Sequence, residues 1–212
     1  MGRVLLLFVT ALLIMGSAGC GGKPTTEVTP TPVPEVAPVL EGKKVLMIIA
    51  HRDFRDEEYQ KPRQILEARG ATVTVASSSL EVARGMLGAE VKLDILLKDV
   101  EVEAYDAIVF IGGVGAAEYW DDPTAHAIAR EAVERNRILA AICIAPTTLA
   151  NAGVLKGRRV TAFTSEAKRV EAAGATYTGA AVERDGLLIT AHGPDAAAKF
   201  GEEIARALGA EG

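Results

Sequence analysis

Short apolar runs alternate with segments of mixed polarity along residues 43–212. Residues 44–50 read as a buried strand, 57–69 as a helix ended by Gly70, and 72–76 as a second strand. Residues 82–97 lack a helical period and contain glycines, which predicts a small hairpin or an irregular excursion. A third core strand over 107–111 stops at Gly112 and Gly113. A helix over 123–135, a strand over 138–142 and a helix over 146–152 follow, then a strand over 159–163 and a helix over 165–173. Residues 182–184 and 187–190 pair across Asp185-Gly186, a strong hairpin signal, and 196–208 close the chain as an amphipathic helix. Repeated strand–helix units imply a three-layer α/β/α sandwich around a mostly parallel sheet, with a small antiparallel hairpin. Ligands of such folds bind beyond the carboxyl ends of the strands, where residues 51–58, residues 112–118 and the segment from Cys143 onward lie.

Cys143 closes the apolar run from Arg137, RILAAIC, and Pro146 follows where the first turn of a helix is expected. The residue therefore sits on a sharp strand-to-helix turn, where unpaired N–H groups and the helix dipole favour a thiolate. A small buried hydrophobe is the other reading of a free cysteine. Gly112 and Gly113 let the backbone turn tightly and aim N–H groups into the crevice. Gly113 and Ile144 could then supply an oxyanion hole, or the pair could be a plain strand-ending turn. Glu58 stands at a helix start, where an acid also serves simply to oppose the dipole, and Pro62 four residues on implies a kink or a broken start.

The N-terminus carries an address. Arg3 precedes an uncharged apolar stretch from Val4 to Met15, too short to span a membrane, and small residues lead to Cys20. The ending Ser-Ala-Gly-Cys20 resembles a bacterial lipobox, although Ser17 stands where leucine is usual. Residues 1–19 are thus expected to be a signal peptide, with Cys20 lipidated and the protein anchored to the cell envelope. Residues 21–42 hold five of the nine prolines and favour extended conformations, so residues 20–42 read as a tether. What remains is one domain, long enough to bury a core without disulfides. A net charge of −5 with no basic stripe argues against nucleic acid as a partner. Of two cysteines only Cys143 lies in that domain, so no internal disulfide can form.

Several motifs in order are similar to those of the PfpI/ThiJ (DJ-one) superfamily. These are Glu58 with Pro62 after the first strand, IVFIGG over 108–113, AAICIAPTTLANAGVLKG over 140–157, and DGLLITAHGP over 185–194. The resemblance covers nearly all of 43–212. It implies a flavodoxin-like sheet of the class I glutamine amidotransferase type, with Cys143 as nucleophile on its elbow. Glu58 would be the acid that hydrogen-bonds the sulfur, and Gly113 and Ile144 the backbone donors. A homodimer or larger homo-oligomer is the implied assembly. Protein-hydrolysing and glyoxalase-like relatives usually place histidine directly after the cysteine, where this chain has Ile144. The DJ-one branch has a histidine in the strand after the elbow helix, where this chain reads Val160-Thr-Ala-Phe-Thr164.

Three histidines exist. His126 falls mid-helix and reads as a surface or packing residue. His51 and His192 follow strands and could face the Cys143 crevice as replacement bases or serve as hydrogen-bonding residues. No pair has the spacing of a metal site, and no metal or cofactor is expected. The charge run from Arg52 to Glu58 reads as a solvated face, and Trp120 as a residue of the crevice or of a dimer contact. Two functions remain open. One is a cysteine-dependent hydrolase or a glyoxalase/deglycase-type enzyme acting on small carbonyl or amide substrates. The other is a non-catalytic oxidative-stress sensor, chaperone or ligand-binding lipoprotein.

Overall fold

The computed structural model describes residues 40–210. The expected signal peptide, Cys20 and residues 20–39 of the tether lie outside the described residues. The folded unit already includes Leu40, which is fully buried and whose N–H donates to the Arg69 carbonyl at 2.9 Å.

In chain order the elements are β1 (Lys44–Ile48), β2 (Arg52–Phe54), α1 (Asp56–Ala68) and β3 (Thr72–Ser77). Then come β4 (Ala83–Gly85), β5 (Glu90–Val91), β6 (Ile95–Leu96), β7 (Ala107–Phe110), α2 (Pro123–Glu134) and β8 (Ile138–Ile142). The chain continues through α3 (Pro146–Asn151), β9 (Arg159–Val160), α4 (Ala167–Ala172), β10 (Thr176–Tyr177), β11 (Val182–Asp185), β12 (Leu188–Ala191) and α5 (Ala197–Gly209). The main sheet has seven strands in the order β11-β12-β8-β7-β1-β3-β6, and all neighbours are parallel except the edge pair β11–β12. Its five central parallel strands run 2-1-3-4-5 in order of appearance, the doubly wound arrangement of flavodoxin-like folds.

Strand pleating explains the two cores. In β1, Val45 and Met47 point to the face covered by α1 and α5, where Leu66, Phe200 and Ile204 are fully buried. Leu46 and Ile48 point to the opposite face, where Ile128 of α2 and Leu149 of α3 cover them. A sheet buried on both sides must be apolar throughout, which is why β7 and β8 read as unbroken apolar runs.

Four local expectations are refined. The excursion over 82–97 contains the antiparallel hairpin β4–β5, which pairs with β2 in a three-stranded sheet, while β6 joins the main sheet. The strand expected over 159–163 ends at Val160. The next N–H groups are taken elsewhere, Thr161 donating to Thr190 Oγ1 at 2.8 Å and Phe163 to the Cys143 carbonyl at 2.8 Å. The helix expected over 165–173 begins as a 3-10 turn at Thr164–Glu166 before α4. Helix α1 runs through Pro62 instead of breaking there; the missing N–H leaves the Glu58 carbonyl without its usual helical donor. No helix among the described residues is long and apolar enough to cross a membrane.

Replacing the fully buried Phe200 by alanine should destabilise the domain by about 3–5 kcal/mol. A shift of the urea unfolding midpoint checks this; a change below about 1 kcal/mol would contradict the packing described.

Candidate active site

The site is built around the reversal between β8 and α3. Cys143 has φ 65°, a left-handed conformation that costs a non-glycine L-residue about 1–2 kcal/mol. Neighbouring strands hold it there. Its N–H donates to the Ala191 carbonyl at 2.9 Å, its carbonyl accepts from Phe163 N–H at 2.8 Å, and Ala145 N–H donates to Ile142 at 3.1 Å. Trp120 Nε1 donates to the Ile144 carbonyl at 3.3 Å, and the indole ring carries the Arg169 guanidinium 4.8 Å from its centroid. Trp120 thus braces the elbow from behind.

The second loop follows β7. Gly112 has no room for a side chain, since a Cβ there would lie 2.5 Å from Glu58 Oε2 and 2.6 Å from Cys143 Cβ. Gly113 has φ 99°, and a Cβ on it would lie 2.5 Å from the Asp53 carbonyl. The two glycines therefore let three loops meet. Arg55 N–H locks the contact by donating to the Gly112 carbonyl at 3.0 Å. The N–H groups of Gly113 and Ile144 both approach the Cys143 sulfur and favour its ionised form. Such a pair is suited to hold an oxyanion once the sulfur has been consumed as nucleophile.

Glu58 completes the group. It is fully buried, and among the described residues neither carboxyl oxygen completes a hydrogen bond. Burial pushes it up to about 7, although the nearby Cys143 thiol, the charge of Arg55 and the Gly112 backbone pull in the other direction. The thiol is pushed up to about 12, first by burial and then by the charge of Glu58, which outweighs the Gly113 and Ile144 donors. The turn by itself favours a thiolate. The structure corrects it: Cys143 is only 8 % exposed and faces an acid, and α3 is a single short helix of 6 residues. At neutral pH burial keeps the resting sulfur as a thiol and raises the carboxyl beside it well above the usual carboxylate range.

Cys143, Glu58, Gly113 and Ile144 line one cavity of about 170 Å³, and Gly112 backs it. Neither candidate histidine does. His51 Nε2 lies 3.8 Å from Glu81 Oε2, while His192 Nε2 lies 3.1 Å from Thr164 Oγ1 with its ring against Phe163. His126 is tied to the Trp120 carbonyl at 2.7 Å. A larger, open groove of about 560 Å³ runs over α1 beside Arg63 and Lys92, with charged walls and no cysteine or histidine among its lining residues. Among the described residues no cluster of histidine, cysteine and carboxylate side chains could hold a metal ion.

Sequence reasoning missed several contributors. Met86, Phe163 and Pro194 line the cavity from loops, where isolated apolar residues carry no periodic signal. Asp56 and Glu166 are buried acids whose role is visible only from distant partners. Asp56 accepts from Leu87 and Ala89 N–H, each at 2.8 Å. Glu166 accepts from Thr147 Oγ1 at 2.9 Å and from Ser165 Oγ at 2.7 Å, and pairs with Arg169 at 3.1 Å.

Comparison with known proteins bears on the family and the fold. The model of the DJ-1/PfpI family matches residues 43–207. An uncharacterized protein of Methanocaldococcus jannaschii is 39 % identical over 172 residues, covering 80 % of this chain and 84 % of that protein. The Bacillus subtilis protein YraA, whose name puts it forward as a cysteine protease, is 30 % identical over 76 % of this chain and 96 % of its own. Among solved structures, a ThiJ/PfpI domain protein of Brachyspira murdochii superposes with TM-score 0.78 at 29 % identity, covering 80 % of this chain and 99 % of that one. Drosophila melanogaster DJ-1beta superposes with TM-score 0.72 at 28 % identity over 79 % of this chain and 90 % of its own.

The raised carboxyl has a consequence for stability. A glutamate moved from 4.5 to about 7 contributes fully below pH 4.5, and that contribution is lost as pH rises through 7. Ionising it in place costs about 3 kcal/mol. Glu58→Gln should therefore gain on the wild type by up to that amount between pH 5 and pH 8, as read by urea unfolding at each pH. A pH-independent difference would show that Glu58 titrates normally.

Proposed function

The chain belongs to the DJ-1/PfpI family, and from that premise we propose that it is a cysteine-dependent enzyme acting on small carbonyl or amide compounds. The observation that carries the reading is the buried Glu58 carboxyl, which completes no hydrogen bond among the described residues, converging with Cys143 on one cavity. A carboxyl near 7 is matched to proton transfer at neutral pH. As the sulfur attacks a carbonyl carbon, the S–C bond forms and the carbonyl electron pair moves to oxygen, held by Gly113 and Ile144 N–H. The thiol proton passes to the Glu58 carboxylate. Glu58 then returns it, to a leaving nitrogen in an amide or to the oxyanion in an aldehyde. The acid thereby takes the part for which relatives use the histidine that Ile144 replaces. An aldehyde adduct forms with this acid and this thiol alone. The Glu58 carboxylate would then carry the C1 proton to C2, and water would hydrolyse the resulting thioester to the 2-hydroxy acid and release the thiol. Glyoxalase-type chemistry therefore suits the site better than peptidolysis.

A second reading has an observation of its own. No histidine among the described residues lines the cavity, as expected for an oxidation sensor whose cysteine stops at the sulfinic stage. The homo-oligomer belongs to the proposal on the strength of family membership. The lipid on Cys20 and the envelope location belong to it on the strength of residues 1–42 alone.

Cys143→Ala should abolish turnover of an α-ketoaldehyde. Glu58→Gln should lower it by about 10²–10⁴-fold and remove a rise in rate centred near pH 7. Steady-state kinetics from pH 5 to 9 check both. Wild-type protein with no turnover, in which Glu58→Gln changes only the oxidation product seen by intact mass, would establish the sensor instead.

A further inference from the structure

The wall of the Cys143 cavity is apolar to a degree that the chemistry alone does not require. Met86, Val114, Ile144, Phe163 and Pro194 form it, arriving from separate segments of the chain. Three of these stay open to solvent, Met86 at 39 %, Phe163 at 40 % and Val114 at 63 %. Apolar side chains gathered at the mouth of a nucleophile mark a surface that a ligand is meant to cover.

The fold fixes this wall in place. Met86 sits at the tip of the β4–β5 hairpin, and its N–H donates to the Phe54 carbonyl at 2.9 Å. The next turn is tied by Asp56, a carboxylate only 5 % exposed that accepts from Leu87 and Ala89 N–H. Phe163 is tied to the elbow itself through the Cys143 carbonyl, and its ring rests on His192 with centroids 5.4 Å apart. Charge is managed with equal care. Arg55 is the one cationic side chain at the cavity, and its guanidinium gives two bonds to Glu57, at 2.8 and 3.2 Å. Its charge is thereby offset by the Glu57 carboxylate, and an anionic ligand would also meet Glu58 as it ionises.

Size sets the last limit. The cavity holds about 170 Å³, and an apolar cavity of about 150 Å³ in another protein takes up benzene. We propose that the site selects an uncharged carbonyl compound bearing one apolar substituent of about phenyl size, seated against Met86, Val114 and Phe163 with its carbonyl at the Cys143 sulfur. This rests on the reading of Cys143 as nucleophile and names the substrate class of that site.

The test compares Cys143 alkylation in the full chain by iodoacetamide, N-benzyl-iodoacetamide and iodoacetate, each rate divided by that of free N-acetylcysteine. The benzyl reagent should exceed iodoacetamide by about tenfold or more, the value of burying an aromatic ring, and iodoacetate should be slowest. In Phe163→Ser and Val114→Ser the benzyl-to-iodoacetamide ratio should fall most of the way to one. Leu80→Ser, exposed and off the cavity, should leave the ratio unchanged. Equal normalised rates, a fastest iodoacetate, or a ratio insensitive to both cavity variants would overturn the proposal. A native protein that no reagent labels would refute the nucleophile instead. The pocket is then judged separately, by ligand-observed NMR of acetophenone with Cys143→Ala: saturable binding that is lost in the added Phe163→Ser variant supports it, and no binding overturns it.

Discussion

A cysteine held at φ 65° sits about 1–2 kcal/mol above its relaxed backbone, so something must hold it there. What holds it is the sheet. β12 supplies the Ala191 carbonyl on one side and the segment after β9 supplies Phe163 N–H on the other, so the turn is bonded on both flanks before α3 begins. Those bonds exist only because β8 lies between β7 and β12 in parallel register. The same register brings the Gly112 turn at the end of β7 against the elbow, and the β1–β7 neighbourhood brings the start of α1 against Gly112. The convergence of cysteine, acid and backbone donors thus follows from strand order, and the strain at one residue is sustained by the global fold.

That convergence decides the protonation chemistry. Two groups that would both carry negative charge are buried together, and the low-polarity surroundings permit at most one charge at neutral pH. Burial acts on both in the same direction, yet the thiol starts higher and is held as a thiol while the acid is brought near neutrality. On the proposed reading the carboxyl, brought close to neutrality, takes the proton that the thiol still carries. Such a pair needs no imidazole. Neither His51 nor His192 lines the cavity that Glu58 and Cys143 share.

Much of this was readable in the residues themselves. β7 and β8 announced themselves as apolar runs, Gly112 and Gly113 as a turn, Asp185-Gly186 as a hairpin, and Cys143 as an elbow through Pro146 behind it. These are local signals, set by periodicity and by backbone freedom. What was hidden depends on partners far along the chain. β2 is a strand written in charged residues, Arg52 and Asp53, and forms only because β4 pairs with it. The strand after the elbow helix stops early because Thr190 and Cys143 capture its N–H groups. The thiolate expected from the turn failed for the same reason: desolvation is a property of the assembled core, not of a seven-residue window.

The buried acids give the sharpest argument for where function lies. Asp56, Glu58 and Glu166 are all at most 5 % exposed, so each faces the same desolvation that normally forbids a buried charge. Asp56 is compensated by two backbone donors, and Glu166 by two hydroxyls and an arginine. Both behave as structural carboxylates, one tying the hairpin that carries Met86 and the other bracing α3 behind the cysteine. Glu58 lies two residues on in α1 and faces the elbow instead, where among the described residues its oxygens complete no hydrogen bond. A fold that satisfies two buried acids fully has the means to satisfy a third. Glu58 stands instead against the Cys143 sulfur, with the Gly112 backbone as its other neighbour. A carboxyl so placed costs stability as it ionises, and on the proposed reading it is the group that takes the proton of the thiol.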